Sequence, residues 1–176
     1  MIHQRKYMSI VVLVCVIGTS LSFANDRSLC ADTKNGYRLH YPSDWTVQQF
    51  PDSEDLVKAD ISRDDETGLQ VRVYTDITSN LNTFLEGYVP DFDKQMRSQW
   101  GGEMIILEQR YTTFDQQRGF IISFDFKRED GARYFFKQYL ISRDNKVYVI
   151  QCGTPFDLRS INETLFDSIA ESFELL

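Results

Sequence analysis

The stretch Tyr134-Phe135-Phe136-Lys137-Gln138-Tyr139-Leu140-Ile141 is apolar on both of its alternating faces. Phe135, Tyr139 and Ile141 share one face, and Tyr134, Phe136 and Leu140 share the other. Side chains of a strand alternate with period two, so bulk on both sides means that both sides are covered. The strand before it agrees, with Phe120, Ile122, Phe124 and Phe126 on a single face. Met104–Phe114 and Val147–Cys152 complete a group of four strands. Their links are Asp115-Gln116-Gln117-Arg118-Gly119, Glu129-Asp130-Gly131-Ala132 and Arg143-Asp144-Asn145-Lys146, all of hairpin composition.

Nearer the N-terminus, Tyr37–Tyr41, Trp45–Phe50, Val57–Ile61 and Leu69–Val73 alternate apolar with polar residues. They are expected to form an antiparallel meander with one wet face, Arg63–Gly68 being a turn. Between the two strand groups, Leu85, Tyr88, Val89, Phe92 and Met96 recur at helical spacing and predict a helix over about 82–100. Asn82 is its expected N-cap, Pro90 predicts a kink or two pieces, and Gly101-Gly102 stops it. A last helix is expected over 157–173, with Leu158, Ile161, Leu165, Ile169 and Phe173 facing inward.

Residues 1–24 read differently. Arg5 and Lys6 precede the apolar run Ile10–Ile17, and Ser22 and Ala24 are small, the pattern of a secretory signal cleaved after Ala24. The run is too short to cross a bilayer core, which needs about 20 apolar residues. Stable membrane insertion is therefore not expected after cleavage, and the destination would be the periplasm or the exterior. Val14 before Cys15 argues against lipidation. Removing this segment takes away two bases and no acid, so the formal charge moves from −7 to −9. That acidity argues against nucleic-acid binding. Cys15 leaves too, and Cys30 and Cys152 remain as an expected disulfide, since exported pairs are usually bridged. Residues 25–35 read as a flexible leader and 36–176 as a single α/β domain.

Gly36-Tyr37-Arg38-Leu39-His40-Tyr41-Pro42-Ser43-Asp44-Trp45 resembles the opening signature of the PsbP-like family, in which an aromatic strand runs into Tyr-Pro-x-x-Trp. The order of the downstream elements is similar as well, over about 35–176. The resemblance implies an α+β fold with an antiparallel sheet sandwiched between helices. It also implies accessory or binding roles, which in relatives include stabilising photosystem II, binding a small GTPase, chaperoning effectors and periplasmic roles not yet assigned. Fold analogy carries little mechanism, and no matching ligand set for manganese or calcium is present. Tyr41, Pro42 and Trp45 read as structural: a turn at the proline and a large ring to bury.

The remaining chemistry is a set of exclusions. His40 is the only histidine beyond the signal, so no multi-histidine zinc site can be built within one chain. It lies opposite Tyr37, Leu39 and Tyr41 and reads as a solvated strand residue. No nucleophile-elbow pattern supplies a serine. Asp52, Glu54 and Asp55, and likewise Asp64, Asp65 and Glu66, could offer oxygen ligands to calcium but lack the loop spacing. No phosphate loop or dinucleotide fingerprint occurs, so no cofactor is expected. Arg133–Lys137 interleaves bases with aromatics but reads as sheet core. Asn162-Glu163-Thr164 is a glycosylation sequon in an expected helix. The leading expectation is a non-enzymatic exported protein that binds a protein or peptide through a surface around Tyr88, Phe92 and Trp100. The alternative is a small hydrolase using His40 or carboxylates.

Overall fold

The computed structural model describes residues 26–114 and 116–176. The expected signal segment lies outside the described residues. A seven-stranded antiparallel sheet comprises β3 (Thr46–Gln49), β4 (Val57–Ser62), β5 (Gly68–Tyr74), β6 (Glu103–Phe114), β7 (Gln117–Lys127), β8 (Arg133–Arg143) and β9 (Lys146–Pro155). Its order is β3-β4-β5-β9-β8-β7-β6. A second sheet, in the order β1-β2-β10, comprises β1 (Arg27–Asp32), β2 (Tyr37–Pro42) and β10 (Glu174–Leu175). Helix α1 (Leu81–Trp100) covers one face of the large sheet; α2 (Arg159–Glu171) and the small sheet cover the other. The class is α+β, with the antiparallel sheet held between helices.

Two cores result, and the both-faced strand β8 explains why. On its α1 side Phe136 and Leu140 join Phe120, Ile122, Phe124, Phe126, Val147 and Val149 beneath Leu81, Leu85, Tyr88, Phe92 and Met96. On its other side Phe135, Tyr139 and Ile141 join Tyr37, Leu39, Ile61, Val71, Ile150 and the α2 residues Phe166, Ile169 and Ala170. Tyr41 and Trp45 are buried in that second core, and the turn between them is closed by Trp45 N–H donating to the Pro42 carbonyl at 3.0 Å.

Helix α2 is fastened by polar contacts that a hydrophobic pattern does not register. The Asn162 amide donates to Thr154 Oγ1 at 2.8 Å, Tyr139 donates its hydroxyl proton to Asp167 at 2.7 Å, and the buried Lys137 ammonium pairs with Asp167 at 2.8 Å and Glu163 at 3.3 Å. The inward stripe is therefore Asn162, Phe166, Ile169 and Ala170. Ile161, expected to face the core, is 67% exposed, because Asn162 takes the buried position.

Four other expectations are corrected. Residues 27–32, read as leader, form β1, since Cys30 and Asp32 can turn inward while the alternating Leu29 and Ala31 face out. Tyr37–Tyr41 pairs with β1 and β10 and does not belong to the meander of β3, β4 and β5. Helix α1 is capped by Asn80, whose side chain accepts from Thr83 N–H, and it runs through Pro90 as one helix. Cys30 and Cys152 are free thiols. Cys30 lies in β1 and accepts a hydrogen bond from Gln49; Cys152 lies in β9, held between β5 and β8. Burial pushes both thiols above their ordinary pKa, so they are protonated and weakly nucleophilic at neutral pH.

Two tests follow from these features. Iodoacetamide in denaturant without reductant should alkylate both Cys30 and Cys152, as read by mass spectrometry; recovery of the two joined by a disulfide would contradict the free thiols. Gly102 has φ +109°, and a Cβ there would collide with the Lys127 carbonyl, whereas Gly87 in α1 has open space around it. Gly102→Ala is expected to cost about 2 kcal/mol or more and Gly87→Ala to stabilise by about 0.5–1 kcal/mol in urea denaturation.

Candidate functional site

The face of the large sheet beneath α1 is not uniform. Toward β7 and β8 it is apolar, but across β4, β5 and the far end of β9 it presents Asp60, Ser62, Gln70, Arg72 and Gln151. Helix α1 lies on the apolar part, and the polar part is left as the floor of an open cleft of about 310 Å³. Phe92, Gln95, Met96, Gln99 and Trp100 form the helix wall, and the β4–β5 turn with Asp64, Asp65 and Glu66 forms the opposite rim. A lobe of similar volume continues past Phe92 and Gln95 to Tyr74, Phe84 and Asp91. A smaller one, about 200 Å³, continues past Trp100 to Arg128 and Tyr134. Shared lining residues make the three lobes one groove along α1.

The floor carries two sets of hydrogen-bonded side chains. Arg72 donates to Gln70 Oε1 at 3.0 Å, Gln70 donates to Asp60 at 3.1 Å, and Gln138 donates to Gln151 at 3.1 Å. Beside them, Arg72 Nε and the Tyr88 hydroxyl are buried without a protein partner among the described residues. An unsatisfied buried donor costs about 1–3 kcal/mol, so these atoms favour an acceptor brought by solvent or by a bound group.

The aromatic wall is continuous. Ring centroids step from Tyr74 to Phe84 (5.2 Å), Phe84 to Tyr88 (5.3 Å), Tyr88 to Phe92 (6.0 Å) and Phe92 to Phe124 (5.2 Å). At the other end Trp100 stands about 6 Å from Phe126, Tyr134 and Phe136. Its indole is 40% exposed, whereas Tyr88 and Phe92 are 8% and 5% exposed. Of the expected surface of Tyr88, Phe92 and Trp100, the first two pack into the core and only Trp100 is exposed.

The rim is acidic. Four carboxylates, from Asp60, Asp64, Asp65 and Glu66, line the main cleft against the single cation Arg72. Asp64 shapes the turn: it pairs with Arg63 at 2.8 Å and accepts from the N–H groups of Glu66 and Thr67. These contacts, with the Arg63 hydrogen bond foremost, hold its carboxyl below the ordinary value. Asp65 and Glu66 are exposed and make no ion pair among the described residues.

The other sequence candidates lie elsewhere. The backbone N–H of His40 donates to Ser172 Oγ at 2.9 Å, but no hydrogen bond joins the imidazole to a serine or carboxylate among the described residues. The carbonyls of Ser53 and Asp55 receive the ammonium of Lys58 at 2.5 and 2.7 Å, and Asp52 pairs with Lys34. Lys58, expected to point outward, sits at a bulge in β4 and is buried. The 52–55 loop is thus closed around a lysine, where an oxygen-ligated cation would have to sit. Sequence reasoning missed Asp60, Gln70, Arg72, Gln95 and Gln151, because outward polar residues on alternating strands look like an ordinary wet face.

A protein-family model described as PsbP matches residues 28–175. Among solved structures, the solution structure of cyanobacterial PsbP (CyanoP) from Synechocystis sp. PCC 6803 aligns with TM-score 0.72 and 18% identity, covering 86% of this chain and 94% of that one. LpqN of Mycobacterium tuberculosis, described as involved in cell envelope biogenesis, aligns with TM-score 0.56 and 13% identity over 85% of this chain and 90% of that one. No curated protein sequence matches significantly.

Trp100 and Trp45 are the two tryptophans of the chain, and Trp45 is only 5% exposed. Acrylamide should therefore quench a fraction of the emission that disappears in Trp100→Phe and persists in Trp45→Phe. Equal quenching of the two variants would contradict the open groove end.

Proposed function

The chain belongs to the PsbP family, and from that premise we propose that it is an exported binding protein without chemistry of its own, whose groove along α1 receives an extended, cationic peptide segment of a partner protein. The observation that carries this reading is the composition of the groove: an amide-rich floor, a tryptophan wall and an acidic rim in one place. An extended peptide exposes backbone N–H and C=O groups, which the side-chain amides of Gln70, Gln95, Gln99 and Gln151 can pair with. Lysine or arginine side chains meet Asp65 and Glu66 on the rim, and their stems or a neighbouring apolar side chain lie on Trp100. Arg72 Nε and the Tyr88 hydroxyl, both lacking acceptors, are satisfied by carbonyl oxygens of the guest.

Catalysis is not supported by this arrangement. A general acid–base device needs a nucleophile and a base within hydrogen-bond reach, and among the described residues no hydrogen bond links the His40 ring to a serine or an acid. Export to the periplasm or exterior rests on the N-terminal pattern. It is in keeping with the envelope role given for LpqN, and no helix among the described residues is long and apolar enough to cross a membrane.

Fluorescence anisotropy with labelled heptapeptides that alternate lysine with valine or tyrosine tests the proposal. Binding is expected, weakened about tenfold or more by Trp100→Ala and by Asp65→Asn with Glu66→Gln, and weakened by salt. Glutamate-for-lysine peptides should not bind. Binding that ignores both variants, or that is absent for the cationic series, overturns it.

A further inference from the structure

Strand β6 closes the large sheet on one side and, among the described residues, has β7 as its only partner there. It is 12 residues long, contains neither lysine nor proline, and carries Ile105, Ile106, Leu107 and Tyr111 at 41–52% exposure. Natural edges are usually short, or are blunted by lysine, proline or cover. This one is long and apolar, and among the described residues nothing pairs with its backbone on the open side.

The charges on β6 follow a symmetric pattern. Glu108 and Arg110 flank Gln109 and project to the same face of the strand, where they now pair with each other at 2.6 Å. In an antiparallel pair of identical strands related by a two-fold axis at Gln109, each Glu108 stands opposite the Arg110 of the other copy. The bulge between Ile106 and Glu108 removes Leu107 from the count, so Ile106 falls opposite Tyr111 of the other copy. Shifting the axis by one residue toward the N-terminus sets Arg110 against an apolar side chain, and shifting it toward the C-terminus leaves Glu108 opposite Thr112. The charges thus favour one register while disfavouring its neighbours, the function that edge charges serve in selective strand pairing.

We propose that β6 is the interface of a two-fold homodimer, in which two copies join edge to edge through a register centred on Gln109 and the large sheets become continuous. The interface is isologous, as closed two-fold dimers require. It lies away from the acidic rim of the groove, so it stands or falls independently of peptide binding.

Sedimentation equilibrium of the full chain over a concentration series, with three variants, tests it. Wild type should approach twice the monomer mass. Arg110→Glu, which sets Glu108 against a glutamate, should shift the equilibrium at least tenfold toward monomer, and the double variant Glu108→Arg with Arg110→Glu should restore the dimer. Gln109→Cys places a thiol on the axis, where facing Cα atoms lie about 4.5–5.5 Å apart and within disulfide reach. It should crosslink copies under mild oxidation faster than Thr113→Cys does. A monomer at every concentration overturns the proposal. So does a dimer indifferent to Arg110→Glu, failure of the double variant to restore it, or crosslinking no faster at position 109 than at 113. Circular dichroism of each variant separates loss of pairing from loss of fold.

Discussion

The groove exists because the sheet face beneath α1 changes chemistry partway across. Burying Asp60, Gln70, Arg72 and Gln151 under an apolar helix would strip their hydration without offering partners, at a cost of several kcal/mol. Burying Phe124, Phe126, Phe136 and Leu140, all between 0% and 6% exposed, is favourable at about 1.5–3 kcal/mol per side chain. Helix α1 therefore settles where its own stripe meets the aromatic rows of β7 and β8. The polar remainder stays open, bounded on one side by the helix and on the other by the β4–β5 turn. Trp100, at the last position of α1 before the Gly101 cap, is left at the mouth of the groove. The groove is thus a consequence of how the core is distributed.

The opposite face shows a different solution to the same constraint. There, several buried polar groups are paired across the core: Lys137 with Glu163 and Asp167, Tyr139 with Asp167, Asn162 with Thr154. These contacts fasten α2 over that side, while beside the groove on the α1 side Arg72 Nε and the Tyr88 hydroxyl have no partner among the described residues. The difference that matters is access: α2 is closed over its side, and the polar floor beside α1 stays open as a groove.

Much of this was legible in the sequence, and the failures have identifiable causes. The both-faced strand at Tyr134–Ile141 and the aromatic row at Phe120–Phe126 required a sheet covered twice, and the Gly36–Trp45 signature pointed to the family. Hydrophobic periodicity located α1 well because its stripe is purely apolar. It misphased α2 because the buried Asn162 carries no hydrophobic signal and Ile161 does. The strand β1 escaped notice because an edge strand of six residues with two inward side chains reads as polar loop. The paired-cysteine expectation drew on compartment alone, and each sulfur is instead fixed by its own strand. The groove was least legible: its floor residues sit on three strands, β4, β5 and β9, and only the fold brings them to one face.

Titrating the isotope-labelled protein with a lysine-bearing heptapeptide and recording amide and indole chemical-shift changes tests the central claim most directly. The account predicts a contiguous set of shifts at Gln70, Arg72, Gln151, Gly153 and the Trp100 indole, with the amides of α2 and β2 unmoved. Shifts confined to α2, to β2 around His40 or to the edge at β6 would contradict it, as would a titration that moves nothing.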